Sequence, residues 1–236
     1  MKGDSLGDRM KRQYEDRTRF FLPRRTLSIL RVDGKSFHSL TRSAEKPYDQ
    51  RIVEAMNAVL LDLCKEVQGA CFGYVQSDEA SVLIADYATI NTEAWFDGNL
   101  QKMVSVAASV ATRAFNFSAA STLFADAVFD ARAFTIPDPI EVENYFIWRQ
   151  QDATRNSIQS LAQAHFSPKQ LHGLSNAQAQ ELLFAEKGIN WNDQPTGDKR
   201  GRCVVRGESL WRVDGEVPVF TADRDYIRRH IPARED

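Results

Sequence analysis

The stretch Ala70-Cys71-Phe72-Gly73-Tyr74-Val75-Gln76-Ser77-Asp78-Glu79-Ala80-Ser81-Val82-Leu83-Ile84-Ala85 consists of two short apolar runs around a polar centre. Aromatic and β-branched residues on both sides of Gln76–Glu79 predict strand, tight turn, strand. Two adjacent carboxylates at such a turn bring charge to the edge of a sheet. Upstream, Thr26-Leu27-Ser28-Ile29-Leu30-Arg31-Val32 reads as another strand and runs into Asp33-Gly34. If the two strands are neighbours, Asp33 and Asp78 converge, and two carboxylates repel unless a cation joins them. Oxygen-only ligands suit magnesium. The pattern points to metal-dependent phosphoryl or nucleotidyl transfer.

Outward from this pair, the periodicity builds a fold. Alternating charges from residue 1 to about 20, among them Lys2, Asp4, Asp8 and Arg9, suggest a short surface helix ending near Pro23. Residues 47–69 predict a helix with Ile52, Met56, Val59, Leu60 and Leu63 on one face and Gly69 as its stop. A second amphipathic helix is expected over 92–117, and a strand over 124–136, broken by Pro137-Asp138-Pro139. The order β, α, β, β, α, β is the ferredoxin-like arrangement, an α+β class with an antiparallel sheet and helices on one face. From about residue 140 the pattern turns helical. Helices are expected from Val142 to about Ala164, after Ser167-Pro168, and from Ser175, whose capping box includes Gln178, to Lys187-Gly188. The tail predicts strands at 202–206, 210–213 and 217–220, with Asp214-Gly215 as a hairpin turn. The expected division is a catalytic core over 1–140 and an extension over 141–236, packed as one unit.

Composition narrows the function classes. A length of 236 residues suffices for a full core, and 43% hydrophobic with 26% charged residues is ordinary for a globular protein. A net charge of −2 gives no overall basic balance for nucleic acid, so an RNA partner would need local basic patches. Three cysteines (Cys64, Cys71, Cys203) and four histidines show no zinc-ligand spacing. The first fifteen residues hold no apolar signal region, and no run approaches the roughly 18 apolar residues of a membrane span. A cytoplasmic protein without membrane contact is expected.

Each candidate has a plainer reading beside it. Asp33-Gly34 is also a favoured hairpin pair, but Lys35–Leu40 lacks the alternation of a returning strand. Gly34 admits close backbone approach, and the amides of 34–38 suggest an anion-binding nest. Lys35, Lys46 and Lys102 are candidate phosphate contacts or simply solvated lysines; His38 is a base, a phosphate contact or a surface residue. No P-loop or Rossmann fingerprint is present. Arginines recur in the tail, at 200, 202, 206, 212, 224, 228 and 229, where strands could track an RNA backbone.

The ordered motifs Arg31-Val32-Asp33-Gly34-Lys35-Ser36-Phe37-His38, Lys46-Pro47-Tyr48-Asp49, Tyr74–Ser81, Phe129-Asp130-Ala131-Arg132 and Tyr145–Gln150 resemble those of the tRNA-histidine guanylyltransferase family. The resemblance covers about residues 26–160; the tail more loosely resembles the bacterial, tRNA-repair branch. It implies a polymerase-like palm that adds nucleotides in the 3′-to-5′ direction to the 5′ end of tRNA, using GTP, with ATP for 5′ activation. It also implies that Asp33 and Asp78, with the Gly34 carbonyl, hold two Mg2+ ions. Glu79 matches an acid required in the family, and residues 33–38 and Ser77 match its nucleotide-contacting loop. Lys46 and Lys102 match basic positions near the phosphates. A homo-oligomer, tetrameric by resemblance, is implied as well.

One stretch departs from the pattern. Where dedicated tRNA-histidine enzymes carry His-Ile-Asn-Asn-Leu-Tyr-Asn, this chain has Ala153-Thr154-Arg155-Asn156-Ser157-Ile158-Gln159-Ser160. That favours repair of 5′-truncated tRNAs over strict guanylylation of one tRNA. The rival readings are a palm-fold nucleotide cyclase and a catalytically inactive RNA-binding protein.

Overall fold

A computed structural model of the protein describes residues 5–208 and 210–234. Lys2 and Asp4 of the expected N-terminal helix lie outside them. Helix α1 (Leu6–Met10) continues through single π and 3-10 turns to Thr18 and buries no side chain. The core then runs β1 (Leu27–Gly34), α2 (Phe37–Leu40), α3 (Gln50–Glu66), β2 (Ala70–Gln76), β3 (Glu79–Ala85), α4 (Leu100–Ser118) and β4 (Phe129–Thr135). The remainder is α5 (Pro139–His165), α6 (Pro168–Leu171), α7 (Asn176–Lys187), α8 (Thr196–Arg200), β5 (Arg202–Arg206), β6 (Trp211–Asp214) and α9 (Asp225–Arg228).

The strands form one sheet in the order β4-β1-β3-β2-β5-β6, with every neighbouring pair antiparallel. The first four strands are the βαββαβ palm, and β1 lies inside it. Alternation along the strands sorts their side chains between two cores. Leu30, Val32, Val75 and Val82 point to α3 and α4, where they meet Met56, Leu60 and Phe115. Leu27, Ile29, Phe72 and Tyr74 point the other way, to Val142 and Phe146 of α5 and to Phe220 and Ile227 of the tail. The crossover helices therefore share one face, and the C-terminal segment covers the opposite one.

Local chemistry explains the element ends. Asp49 caps α3 by accepting from the Arg51 amide at 3.1 Å, and Asn99 caps α4 through the Lys102 amide at 3.1 Å. Gly69 has φ +81°, and a Cβ there would stand 2.6 Å from the Ala85 carbonyl, so only glycine fits between α3 and β2. The capping box at Ser175 and Gln178 forms, and Gly188 ends α7 in the left-handed region.

Three expectations are corrected. Helix α4 begins at Leu100 rather than 92, because residues 92–99 form a loop and one 3-10 turn. Strand β4 begins at Phe129 rather than 124. Asn116 holds the preceding loop by donating to the Ala127 carbonyl at 3.0 Å and accepting from its amide at 2.8 Å. Residues 217–220 form no strand, and Asp214-Gly215 turns no hairpin. The hairpin is β5–β6, closed where the Gly207 amide donates to the Leu210 carbonyl at 2.9 Å. Asp214 instead accepts from the Glu216 amide at 3.0 Å and from the Tyr226 hydroxyl at 2.6 Å. Val217 and Phe220 serve as core residues.

Candidate active site

Strand β1 delivers Asp33 and Gly34 at its end, and the β2–β3 turn delivers Ser77 and Asp78 beside them. The Gly34 amide donates to the Asp78 carbonyl at 3.0 Å, while Asp33 stands opposite Glu79 in the β1–β3 ladder. Ser77 takes the left-handed conformation at φ 48°, and its hydroxyl donates to Asp78 Oδ1 at 3.1 Å. Burial pushes the Asp78 carboxyl above its usual range; hydrogen bonds from its own amide and Ser77 oppose this, and the Asp33 charge adds to it. Among the described residues no arginine or lysine forms an ion pair with Asp33 or Asp78. Their negative charge is left for a ligand to balance.

The donor set fits a hard divalent cation. Two carboxylates and the Gly34 carbonyl offer only oxygen, and no group of three or more His, Cys, Asp or Glu is placed to hold a metal among the described residues. Such a sparse set suits magnesium, which keeps waters and takes substrate phosphates as further ligands. Glu79 is not part of it. Its carboxylate is buried and turned to Arg149 at 2.8 Å and Arg31 at 3.7 Å.

The loop after β1 is tightly built. A Cβ on Gly34 would stand 2.2 Å from the Phe37 ring, and that ring sits edge-on to Phe115 at 5.1 Å. Ser36 adopts φ 54° before α2. The amides of Gly34 and Lys35 donate to Asp78 and Val128 carbonyls, so the expected nest narrows to the first turn of α2, at Ser36, Phe37 and His38. His38 and Lys35 are exposed, and His38 lies 3.1 Å from the Ser39 hydroxyl.

A cleft of about 180 Å³ opens from Ser77 and Asp78. Phe37 and Thr41 line one side, and Lys46 and Tyr48 the next. The opposite wall is the second half of α5, where Ala153, Asn156, Ser157 and Ser160 recur at helical spacing. Asp198 and Arg202 of the C-terminal segment close it. Arg202 is buried and held by Asn57 Oδ1 at 2.6 Å and the Gly197 carbonyl at 3.1 Å; desolvation lowers its pKa. Burial raises the Asp198 carboxyl. Tyr48 is fixed through its hydroxyl, 2.7 Å from Ser157 Oγ, which also accepts from the Trp191 indole at 3.0 Å.

Of the residues singled out in the sequence, Phe37, Lys46, Ser77 and Asp78 thus line one opening, and Asp33 and Gly34 adjoin it beside Asp78. Lys102 does not join them. It lies beside Phe96 near the start of α4, in a separate depression that includes Arg19 and Phe21. The bridge between Phe21 and Asn99 places this start near the beginning of β1, whereas the carboxylates stand at its end. Sequence reasoning set apart 153–160 and named Arg202 among the tail arginines, but it placed none of Asn156, Ser160, Asp198 and Arg202 in this cleft. For the α5 residues the signal was a stripe of small and polar side chains at i, i+3, i+4 and i+7; for the other two there was none.

The model of the tRNAHis guanylyltransferase family matches residues 7–137. The tRNA(His) guanylyltransferase of Schizosaccharomyces pombe is 31% identical over 211 residues, which cover 83% of this chain and 78% of that protein. A bacterial tRNA(His) guanylyltransferase (Thg1)-like protein in complex with ATP superposes with a TM-score of 0.91 at 45% identity, covering 96% of this chain and 99% of that one. A bacterial Thg1-like protein in complex with GTP gives a TM-score of 0.85 at 42% identity, with the same coverage. The ordered motifs, the palm and these similarities agree, and the chain belongs to the tRNA-histidine guanylyltransferase family.

Proposed function

We propose that this nucleotidyltransferase extends the 5′ end of tRNA in the 3′-to-5′ direction, adding guanylate or another nucleotide opposite a template base. A 5′-monophosphate end first attacks the α-phosphorus of ATP, taking up AMP and releasing pyrophosphate; the 3′-hydroxyl of GTP then attacks the activated 5′-phosphorus, and AMP leaves. A 5′-triphosphate end reacts in the same way and releases pyrophosphate. The observation that carries the proposal is the adjacency of Asp33 and Asp78, neither of them ion-paired among the described residues, beside the cleft that Asp78 lines.

Asp33, Asp78 and the Gly34 carbonyl would hold two Mg2+ ions, which when bound favour ionisation of the attacking hydroxyl and neutralise charge on the leaving group. The chain's own groups do the positioning. Lys46 and Ser77 stand at the opening, where they meet phosphate oxygens, and the first-turn amides of α2 add donors there. The cleft beyond takes a nucleotide, in keeping with the ATP and GTP held by the bacterial relatives. The wall formed by 153–160 departs from the motif of dedicated tRNA-histidine enzymes, which supports 5′-truncated tRNAs as substrates. A tetramer, implied by the family resemblance, completes the proposal.

The test supplies labelled GTP, ATP and Mg2+ with a tRNA lacking its first nucleotide. Incorporation is expected, and a complementary opposing base should exceed a mismatched one by at least about tenfold, a difference of roughly 1.4 kcal/mol. Cyclic product from GTP alone, or no incorporation into any tRNA, overturns the proposal.

A further inference from the structure

We infer that Arg149 is a positioning residue for the Asp33–Asp78 pair: it takes up the charge of Glu79 and keeps that carboxylate out of the cation site. The inference rests on the function proposed above. Glu79 follows Asp78 directly and pairs with Asp33 in the ladder, so the side chains of Glu79 and Asp33 leave the sheet on the same face as neighbours. Its Oε2 instead lies 2.8 Å from Arg149 Nη1 and 3.7 Å from Arg31 Nη1. Arg149 is itself fixed. It is 6% exposed, its Nη2 is ion-paired with Asp152 Oδ2 at 2.9 Å, and its guanidinium lies 3.8 Å from the centre of the Trp148 ring. Asp152 is steadied in turn by Arg155.

The pairing holds Glu79 without saturating it. Glu79 Oε1, Arg31 Nε and Arg149 Nε are all buried and make no hydrogen bond among the described residues. A carboxylate with one oxygen free is held by charge more than by a complete set of donors. Without Arg149, Glu79 keeps only the longer contact to Arg31, and the strongest remaining attraction is the cation beside Asp33 and Asp78. Breaking one side of a buried pair leaves an uncompensated charge, whereas removing both sides does not. Arg149 therefore acts through Glu79, and its loss should add a ligand rather than remove one.

The test measures Mn2+ binding to the full chain by electron paramagnetic resonance, together with thermal unfolding and with kcat and KM for GTP. Arg149→Met is expected to bind Mn2+ about tenfold more tightly, because the released Glu79 carboxylate adds a negatively charged ligand. Its kcat should fall by at least about 30-fold, with KM for GTP changed less than about threefold, because the ion is misplaced and the cleft is not. In the Glu79→Gln background the same substitution should alter Mn2+ affinity by less than about threefold and kcat by less than about fivefold. Arg149→Lys, which keeps the charge, should stay within about threefold of the wild type in Mn2+ affinity.

Weaker or unchanged Mn2+ binding in Arg149→Met overturns the inference, and so does an equal effect in both backgrounds. Should Arg149→Met fail to fold, the double variant decides: an affinity more than about tenfold from that of Glu79→Gln overturns it. Wild-type protein that shows this Mn2+ pattern but incorporates no GMP overturns only the proposed function. Normal incorporation with no coupling between the two positions overturns only the role of Arg149. Wild-type protein that binds no Mn2+ overturns both.

Discussion

The amide of Gly34 donates to the carbonyl of Asp78 at 3.0 Å, joining two segments that lie more than forty residues apart in the chain. This bond ties the end of β1 to the turn that opens β3, so the two candidate cation ligands move together. A ladder partner on each side of β1 fixes the same end further: Asp33 faces Glu79 on β3 and Asp130 on β4.

Asp33→Ala and Asp78→Ala should each lower nucleotide incorporation by about 10³-fold or more, the scale of losing several kcal/mol of transition-state stabilisation. Both should fold. Asp78→Asn should be as stable as metal-free wild type or more so, since it removes a half-buried charge beside Asp33. Thermal unfolding checks both points: Mg2+ should raise the Tm of the wild type and leave that of Asp78→Asn unmoved, and EDTA should reverse the rise.

Gly34→Ala should destabilise the protein by about 1–3 kcal/mol, the usual cost of forcing atoms into a filled site. The new Cβ meets the Phe37 ring at 2.2 Å, and the ring cannot withdraw easily because Phe115 and Phe129 flank it. Urea unfolding measures the loss. Incorporation should fall further than the stability change alone accounts for, since the displaced ring also lines the cleft.

Asp49 gives a pH dependence of known sign. Hydrogen bonds from Arg51, first, and from the Glu45 amide depress its carboxyl to about 2, against burial that opposes them. Its contribution to stability is therefore complete above the unfolded carboxylate range and is lost as the pH falls through about 2. Asp49→Ala should cost about 1–2 kcal/mol near neutrality, as expected for a lost helix cap. The gap between wild type and variant should narrow as unfolding is followed from pH 5 down to about 2.

Ser160→Trp should fill the cleft without touching its carboxylates. Ser160 is half-buried and lies where the cleft meets a second hollow lined by Gln163, Phe166 and His172. ATP and GTP affinity should fall by at least about tenfold, roughly 1.4 kcal/mol. Mn2+ binding should stay unchanged. Isothermal titration with each ligand separates the two effects.

Much of the palm was legible because its signals are local. The β1 and β2–β3 strands, the apolar face of α3 and the capping box of α7 follow from side-chain period and cap chemistry over a few residues. Where long-range contacts govern, the sequence misled. Phe124 looks like strand but fills a loop held by Asn116, and Val217 and Phe220 look like strand but plug the core beneath α5. Asp33 and Asp78 were legible as a pair through topology, whereas Asp198 and Arg202 entered the cleft through the late crossing of α8 and β5, which no local pattern announces. Lys102 shows the limit of local reading: its residue type suggested a phosphate contact, but its helix carries it to a separate depression beside Phe96.

Helix α5 has two tasks along one axis. Residues such as Val142 and Phe146 seal the second core, while Ala153, Asn156, Ser157 and Ser160 face the cleft beyond it. Because the rod is continuous, the half that anchors holds the half that lines the cleft, and Ala153 belongs to both. Exchanges at Asn156 or Ser160 would therefore recast the shape of the opening while the foundations laid by Val142 and Phe146 stay undisturbed.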